Sequence, residues 1–119
     1  MANDDASANC IFCKIVRREI PAHEVHRDDD VVAFRDLNPQ APTHILVVPA
    51  THADHLSAFT AAATERAAAH LLAVAARLGR EHGPDGYRVV MNEGADAGQS
   101  VDHLHAHVLA GRRLGWPPG

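Results

Sequence analysis

His103-Leu104-His105-Ala106-His107-Val108-Leu109-Ala110, close to the C-terminus, alternates imidazole with apolar side chains. A strand has a side-chain period of two, so its first six residues set His103, His105 and His107 on one face and Leu104, Ala106 and Val108 on the other. On a helix the middle ring would point roughly to the opposite side, which leaves a strand as the one regular structure that unites all three. The octet therefore predicts a last strand over 103–110, with chemistry on one face and a helix layer against the other. Three convergent imidazoles offer a nucleophile, a donor to anionic oxygens and a proton carrier, each titrating near ~6.5. Phosphoryl or nucleotidyl transfer suits that set. A metal site and a wet polar face are the other readings of a bare H-x-H-x-H.

Upstream, Phe59, Ala63, Ala67, Leu71, Val74 and Leu78 recur at helical spacing and predict one long amphipathic helix over 59–78. Gly83 followed by Pro84 predicts a left-handed stop, with the helix fraying out by His82. Residues 87–91 read as a strand, and 92–100, with Gly94 and Gly98, as a loop. His44-Ile45-Leu46-Val47-Val48 reads as a buried, central strand, entered from the loop Asn38-Pro39-Gln40-Ala41-Pro42 and closed by Pro49. Two shorter strands are expected at 24–27 and 31–36, joined by the solvated turn Asp28-Asp29-Asp30. Ile11, Phe12, Ile15 and Val16 suit a short helix over 10–18, which Pro21 ends. The pattern is α+β with a mainly antiparallel sheet.

The chain has 119 residues, enough for one domain, with 1–9 expected as a mobile tail and 10–119 as the fold. A formal charge of −4 and ten scattered arginines among eleven basic residues argue against long nucleic acids as partners. Apolar runs fall far short of the ~20 residues of a membrane span, and the first residues are polar and acidic, so a soluble cytoplasmic protein without a membrane partner is expected. Cys10 and Cys13 form a C-x-x-C pair, which in that setting points to metal or redox chemistry more than to a structural staple. Ten histidines are too many for core filler. Gly98-Gln99-Ser100 can turn backbone N–H groups and a hydroxyl toward a phosphate. Asp36 suits a ribose diol or a turn cap, and His44 is ambiguous.

The octet, together with Cys10-Ile-Phe-Cys-Lys-Ile, Arg18-Glu-Ile-Pro-Ala, Asn38-Pro-Gln-Ala-Pro-Thr-His, Asn92-Glu-Gly, Gly98-Gln-Ser-Val and Trp116-Pro-Pro-Gly, resembles the histidine triad (HIT) superfamily, in its Hint branch of purine nucleoside phosphoramidases. The resemblance covers about residues 10–119. It implies a five-stranded, mainly antiparallel sheet with one long and one short helix, pairing in a homodimer into a continuous ten-stranded sheet. It also implies an enzyme that cleaves a purine nucleoside 5′-monophosphate from an amine, as in adenosine or guanosine phosphoramidates and aminoacyl adenylates. His105 would be the nucleophile, His107 the phosphate ligand, and His44 a partner holding the His105 ring. Ser100, Gln99, Gly98 and Asn92 would serve the phosphate and leaving group, and Asp36 with Leu37 the ribose. Phe12, Ile15 and Phe34 would line the base pocket, with ordinary core as their other reading, and Trp116 would reach the neighbouring protomer's site.

Cys10, Cys13, His52 and His103 resemble the Cys2His2 set that holds a structural zinc in many bacterial relatives, against free thiols or a redox pair. Such a site has no open position, so the chemistry itself needs no cofactor. Asp102 departs from an aromatic position of the branch and sets a carboxylate beside the triad. Arg35, another departure, stands beside the ribose position. Two alternatives remain: a dinucleoside polyphosphate hydrolase of the same superfamily, whose members lack the Trp-Pro-Pro-Gly ending, and a non-catalytic nucleotide- or zinc-binding scaffold.

Overall fold

A computed structural model describes residues 8–119. Residues 1–7 of the expected tail lie outside the described residues, and Ala8 and Asn9 are exposed and helical. The elements are α1 (Ile11–Val16), β1 (Glu24–Arg27), β2 (Val31–Arg35), β3 (Thr43–Pro49), α2 (Leu56–Ala62), α3 (Glu65–His82), β4 (Tyr87–Met91) and β5 (Ala106–Ala110). The five strands form one sheet in the order β1-β2-β3-β5-β4, with every neighbouring pair antiparallel. This is the α+β architecture expected from the sequence.

β3 is buried along all seven of its residues because it is covered on both faces. Ile45 and Val47 join Val31, Ala33, Leu104, Ala106 and Val108 in a core closed by Leu71, Val74 and Leu78 of α3. Leu46 and Val48 face the other way, into a smaller core with Val32, Phe34 and the α1 side chains Phe12, Cys13 and Ile15. Burying both faces of an aliphatic strand is the main source of its stability, at about 25 cal/mol per Å² of apolar surface removed from water.

β5 is shorter than the expected strand, beginning at Ala106. Residues 103–105 leave the ladder because Leu104 donates its N–H to the Ala53 carbonyl, at 2.7 Å, in the loop after β3. The alternation nonetheless persists through this segment. Leu104 sits in the α3 core, while the His103 and His105 rings lie edge-on to Phe12 on the opposite face.

The single helix expected over 59–78 is instead two. Ala63 and Thr64 are both extended, with ψ of 155° and 157°, and the Thr64 hydroxyl accepts the Ala67 N–H at 3.0 Å to start α3. The helix ends at His82 as expected, but Gly83 has φ −132° and is not left-handed. Glycine is needed there for room, since a Cβ would lie 2.6 Å from that of Ala110 and 2.7 Å from the Gly86 carbonyl. Asp28 makes the expected turn by accepting the N–H groups of Asp30 and Val31, but it is not simply solvated. Its other oxygen accepts His26 and His70 side chains at 2.6 and 2.8 Å, tying the hairpin to α3 and holding its carboxyl well below the usual range. Among the described residues, no helix is long and apolar enough to cross a membrane.

Candidate active site and metal centre

His105 is 5% exposed and its ring is hydrogen-bonded through Nδ1 to the His103 carbonyl at 2.8 Å. A carbonyl only accepts, so Nδ1 carries the proton and Nε2 carries the lone pair. Phe12 packs edge-on against the ring, 5.1 Å between centroids, and limits its rotation. The ring is thus held in one orientation, with the Nε2 lone pair of its neutral form available.

His107 is prepared as a donor by a chain that starts outside the triad. The Gln40 N–H donates to His44 Nδ1 at 3.0 Å, which forces the His44 proton onto Nε2. His44 Nε2 then donates to His107 Nδ1 at 2.8 Å, and the His107 proton is left on Nε2. Desolvation, with smaller contributions from the neighbouring imidazoles, pushes His107 down to about 4, so the ring is neutral at pH 7. Burial likewise lowers His44, opposed by the Asp36 carboxylate 3.5 Å away. Asp36, His44 and His107 converge closely enough to suggest a cation site. The Gln40 N–H argues otherwise, because it occupies the only His44 nitrogen whose use would free Nε2 as a ligand.

A cavity of about 260 Å³ opens over these two rings. The apolar side chains Phe12, Ile15, Phe34, Leu37 and Leu46 line it together with Asp36, Ser100, His105 and His107. A largely apolar cavity with a few polar groups suits a flat heteroaromatic ring joined to a charged group.

On the far side of Phe12 lies a second cluster. Cys10 caps α1 by accepting the Cys13 N–H at its Sγ, which sets the two sulfurs one turn apart on the same side of the helix. His103 Nδ1 lies 3.3 Å from Cys10 Sγ and 3.4 Å from Cys13 Sγ, and His52 Nδ1 lies 3.2 Å from Cys13 Sγ. All four donor atoms fall within 4.8 Å of one another. Tetrahedral zinc with bonds of ~2.3 Å to sulfur and ~2.05 Å to nitrogen separates its ligands by about 3.5 Å, so this donor set fits the ion. The outer nitrogens agree. His103 Nε2 donates to the Pro49 carbonyl at 2.9 Å and His52 Nε2 to Asp54 at 2.7 Å, which turns both Nδ1 lone pairs toward the sulfurs. Burial lowers His103 to about 4 and keeps it neutral, as a ligand must be.

Residues 17–114 match the model of the HIT domain family. The chain belongs to the HIT domain family. Among its relatives, a purine nucleoside phosphoramidase from Escherichia coli strain K12 is 47% identical over 107 residues, covering 88% of this chain and 89% of the relative. A 14 kDa zinc-binding protein from Zea mays is 50% identical over 113 residues, covering 92% and 87%. The structure of a HIT family hydrolase from Legionella pneumophila superposes with a TM-score of 0.85 at 41% identity, covering 93% of this chain and all of that one. A zinc-bound histidine triad family protein from Mycobacterium smegmatis superposes with a TM-score of 0.77 at 33% identity, covering 95% and 81%. These relatives set the chain among the HIT family hydrolases.

The fold brings Phe12, Ile15, Phe34, Asp36, Leu37, Ser100, His105 and His107 to one cavity and Cys10, Cys13, His52 and His103 to one cluster. Asn92, Gly98, Gln99 and Trp116 are not among the cavity's lining residues. The Gln99 side chain is bonded to Gly94 and Val101 of its own loop and to the Asp54 carbonyl, and Trp116 is 82% exposed near the C-terminus. His44 holds His107 rather than His105, whose ring is held by a main-chain carbonyl instead. Asp102 is exposed and lines an outer hollow beside Cys10 and His52. Sequence reasoning missed Gln40, Pro49 and Ala53, which act through backbone atoms and leave no side-chain signal. It also missed Asp54, for which the H-x-D spacing after His52 was a usable cue.

Proposed function

We propose that this HIT protein is a nucleoside phosphoramidase that releases a purine nucleoside 5′-monophosphate from an amine, acting on adenosine or guanosine phosphoramidates and aminoacyl adenylates. The observation that carries the reading is the pair of opposite tautomers side by side at one cavity, a lone pair on His105 Nε2 and a proton on His107 Nε2. In the first step His105 Nε2 attacks phosphorus, the P–N bond breaks and the amine leaves with a proton taken up from the medium. The ring becomes a cation in the nucleotidyl-histidine, and its Nδ1–H···O=C bond to His103 strengthens as that charge appears. Water then attacks phosphorus, the P–Nε2 bond breaks and a proton returns. His107 Nε2–H and the Ser100 hydroxyl bind the phosphoryl oxygens where negative charge grows. Asp36 with Leu37 receives the ribose, and Phe12, Ile15 and Phe34 the base.

Cys10, Cys13, His52 and His103 would hold a structural zinc, which supplies a closed tetrahedral brace and no reactive position. The His103 side chain would then serve the metal while its carbonyl serves the nucleophile. The chain acts as a cytoplasmic homodimer whose sheets join into ten strands, with Trp116 reaching the partner's cavity and Asn92 and Gly98 shaping the phosphate loop. Steady-state release of adenosine monophosphate from adenosine 5′-phosphoramidate tests the proposal. His105→Ala should abolish turnover and the covalent intermediate while leaving the thermal unfolding transition cooperative. Wild-type-like turnover by that variant refutes it.

A further inference from the structure

The Gln99 amide is committed to the protein at every hydrogen it carries. Its Oε1 accepts the Gly94 N–H at 3.1 Å, and its Nε2 donates to the Asp54 carbonyl at 2.6 Å and the Val101 carbonyl at 3.1 Å. No N–H is left for a ligand. Two of these bonds fix the loop on either side of Ser100, which lines the nucleotide cavity together with Val101. The third reaches across to the loop after β3. Asp54 is bound at both of its ends, for its carbonyl accepts Gln99 while its carboxylate accepts His52, whose other nitrogen faces Cys13 Sγ. The neighbouring Ala53 carbonyl accepts the N–H of Leu104, which lies between His103 and His105. Residues 52–54 therefore stand between the Cys–His cluster and both the phosphate loop and the nucleophile's segment.

We infer that Gln99 is a positioning residue that straps the phosphate loop to the metal clamp, so that metal occupancy and nucleotide affinity are thermodynamically linked. The inference rests on the nucleotide and zinc readings above. Coordination fixes the His52 ring; the ring fixes the Asp54 carboxylate; and the Asp54 carbonyl holds Gln99 and hence Ser100 and Val101. Linkage is reciprocal, so a nucleotide seated on the loop must hold the metal more tightly by the same factor.

The test uses the full chain as wild type, as Gln99→Leu, which keeps the bulk and deletes all three bonds, and as Gln99→Glu, which deletes only the two donated ones. Zinc transfer to a competing chelator is followed to equilibrium with and without adenosine 5′-monophosphate. Binding of that nucleotide is measured calorimetrically on loaded and stripped protein, and amide exchange is followed at Ser100 and Val101. In the wild type the nucleotide should raise zinc affinity about tenfold, and stripping should weaken nucleotide binding by about the same factor, within the usual range of such couplings. Stripping should also speed exchange at both amides. Both variants should reduce the linkage below about twofold. A wild type whose two ligands bind independently, or a linkage undiminished in both variants, overturns the inference. So does a Gln99→Leu protein that loses nucleotide affinity equally when loaded and stripped, the result expected of a direct ligand contact. If the nucleotide binds neither form, the proposed function fails, and exchange alone decides the strap: protection lost on stripping in the wild type but not further lost in the variants supports it, and unchanged protection overturns it. If stripping unfolds the chain, zinc transfer from loaded protein decides.

Discussion

Replacing His44 by Phe keeps a flat ring at a site only 5% exposed but removes both ends of the chain that sets the His107 tautomer. Two groups lose partners, the Gln40 N–H at 3.0 Å and His107 Nδ1 at 2.8 Å. Both lie in part-buried bonds where water is a partial substitute, so each costs about 1 kcal/mol, at the low end for an orphaned polar group. The sum of about 2 kcal/mol should lower Tm by roughly 10 °C in a domain of this size. The effect on turnover has another origin. Without its donor, His107 stays neutral but exchanges its proton between two nitrogens, and the loss of such an orienting partner should cost about 10- to 100-fold in activity. Steady-state hydrolysis of adenosine 5′-phosphoramidate reads the rate, and nitrogen chemical shifts of the His107 ring read the tautomer. His44→Gln, which keeps a donor and an acceptor, should recover part of both. Turnover within twofold of wild type, with His107 still protonated on Nε2 alone, would refute the reasoning.

Acid should destabilise the metal-stripped chain. His103 and His107 titrate at about 4 when folded against an ordinary 6.5, so the unfolded state binds more protons between those values. Their contribution is complete above about pH 6.5 and is lost as pH falls toward 4, at up to about 1.4 kcal/mol per pH unit for each ring. Urea unfolding at stepped pH checks this, and a flat profile contradicts it. Cys13→Ser removes the sulfur that faces both His52 and His103, and metal analysis should find zinc falling from about one per chain to under a tenth of that. Gly79→Ala would set a methyl carbon 2.3 Å from the Tyr87 ring, where overpacking of about 2–3 kcal/mol outweighs the gain of about 1 kcal/mol in helix propensity. Chemical denaturation should show a net loss of about 1–2 kcal/mol.

The sheet was legible because its signals are local. The aliphatic run through β3 and the alternation through β5 each specify a face without knowledge of the partner. The break in the long helix was not read, since Phe59, Ala63 and Ala67 keep helical spacing across it and alanine gives no stop. Thr64 before Glu65 carried the one cue, a hydroxyl able to cap. At Gly83 the residue was rightly singled out for the wrong reason, because sequence shows a missing side chain but not whether torsion or space requires it. In the candidate site, Cys10, Cys13, His52 and His103 could be assembled from donor chemistry and family resemblance. The partner of His44 could not, because three imidazoles were available and only the β3–β5 register, which pairs Leu46 with His107, brings one of them to it. Gln99 points to the same limit: its residue type suits a ligand contact, and only the fold shows its amide spent on three backbone groups.

The two-faced character of the segment leading into β5 bears on how this chain can change over evolutionary time. Leu104, Ala106 and Val108 feed one core while His103, His105 and His107 serve the opposite side. One residue inserted or deleted anywhere from 104 to 108 would exchange the two sets on one side of the change, sending imidazoles into the aliphatic core. Substitutions there are graded, but changes of length are not. The stretch between Gly94 and Gly98 is exposed, and a side chain added at either glycine would meet nothing within 4 Å. Insertions among homologous chains should therefore be confined to exposed turns and stay out of residues 103–107, which carry the proposed nucleophile.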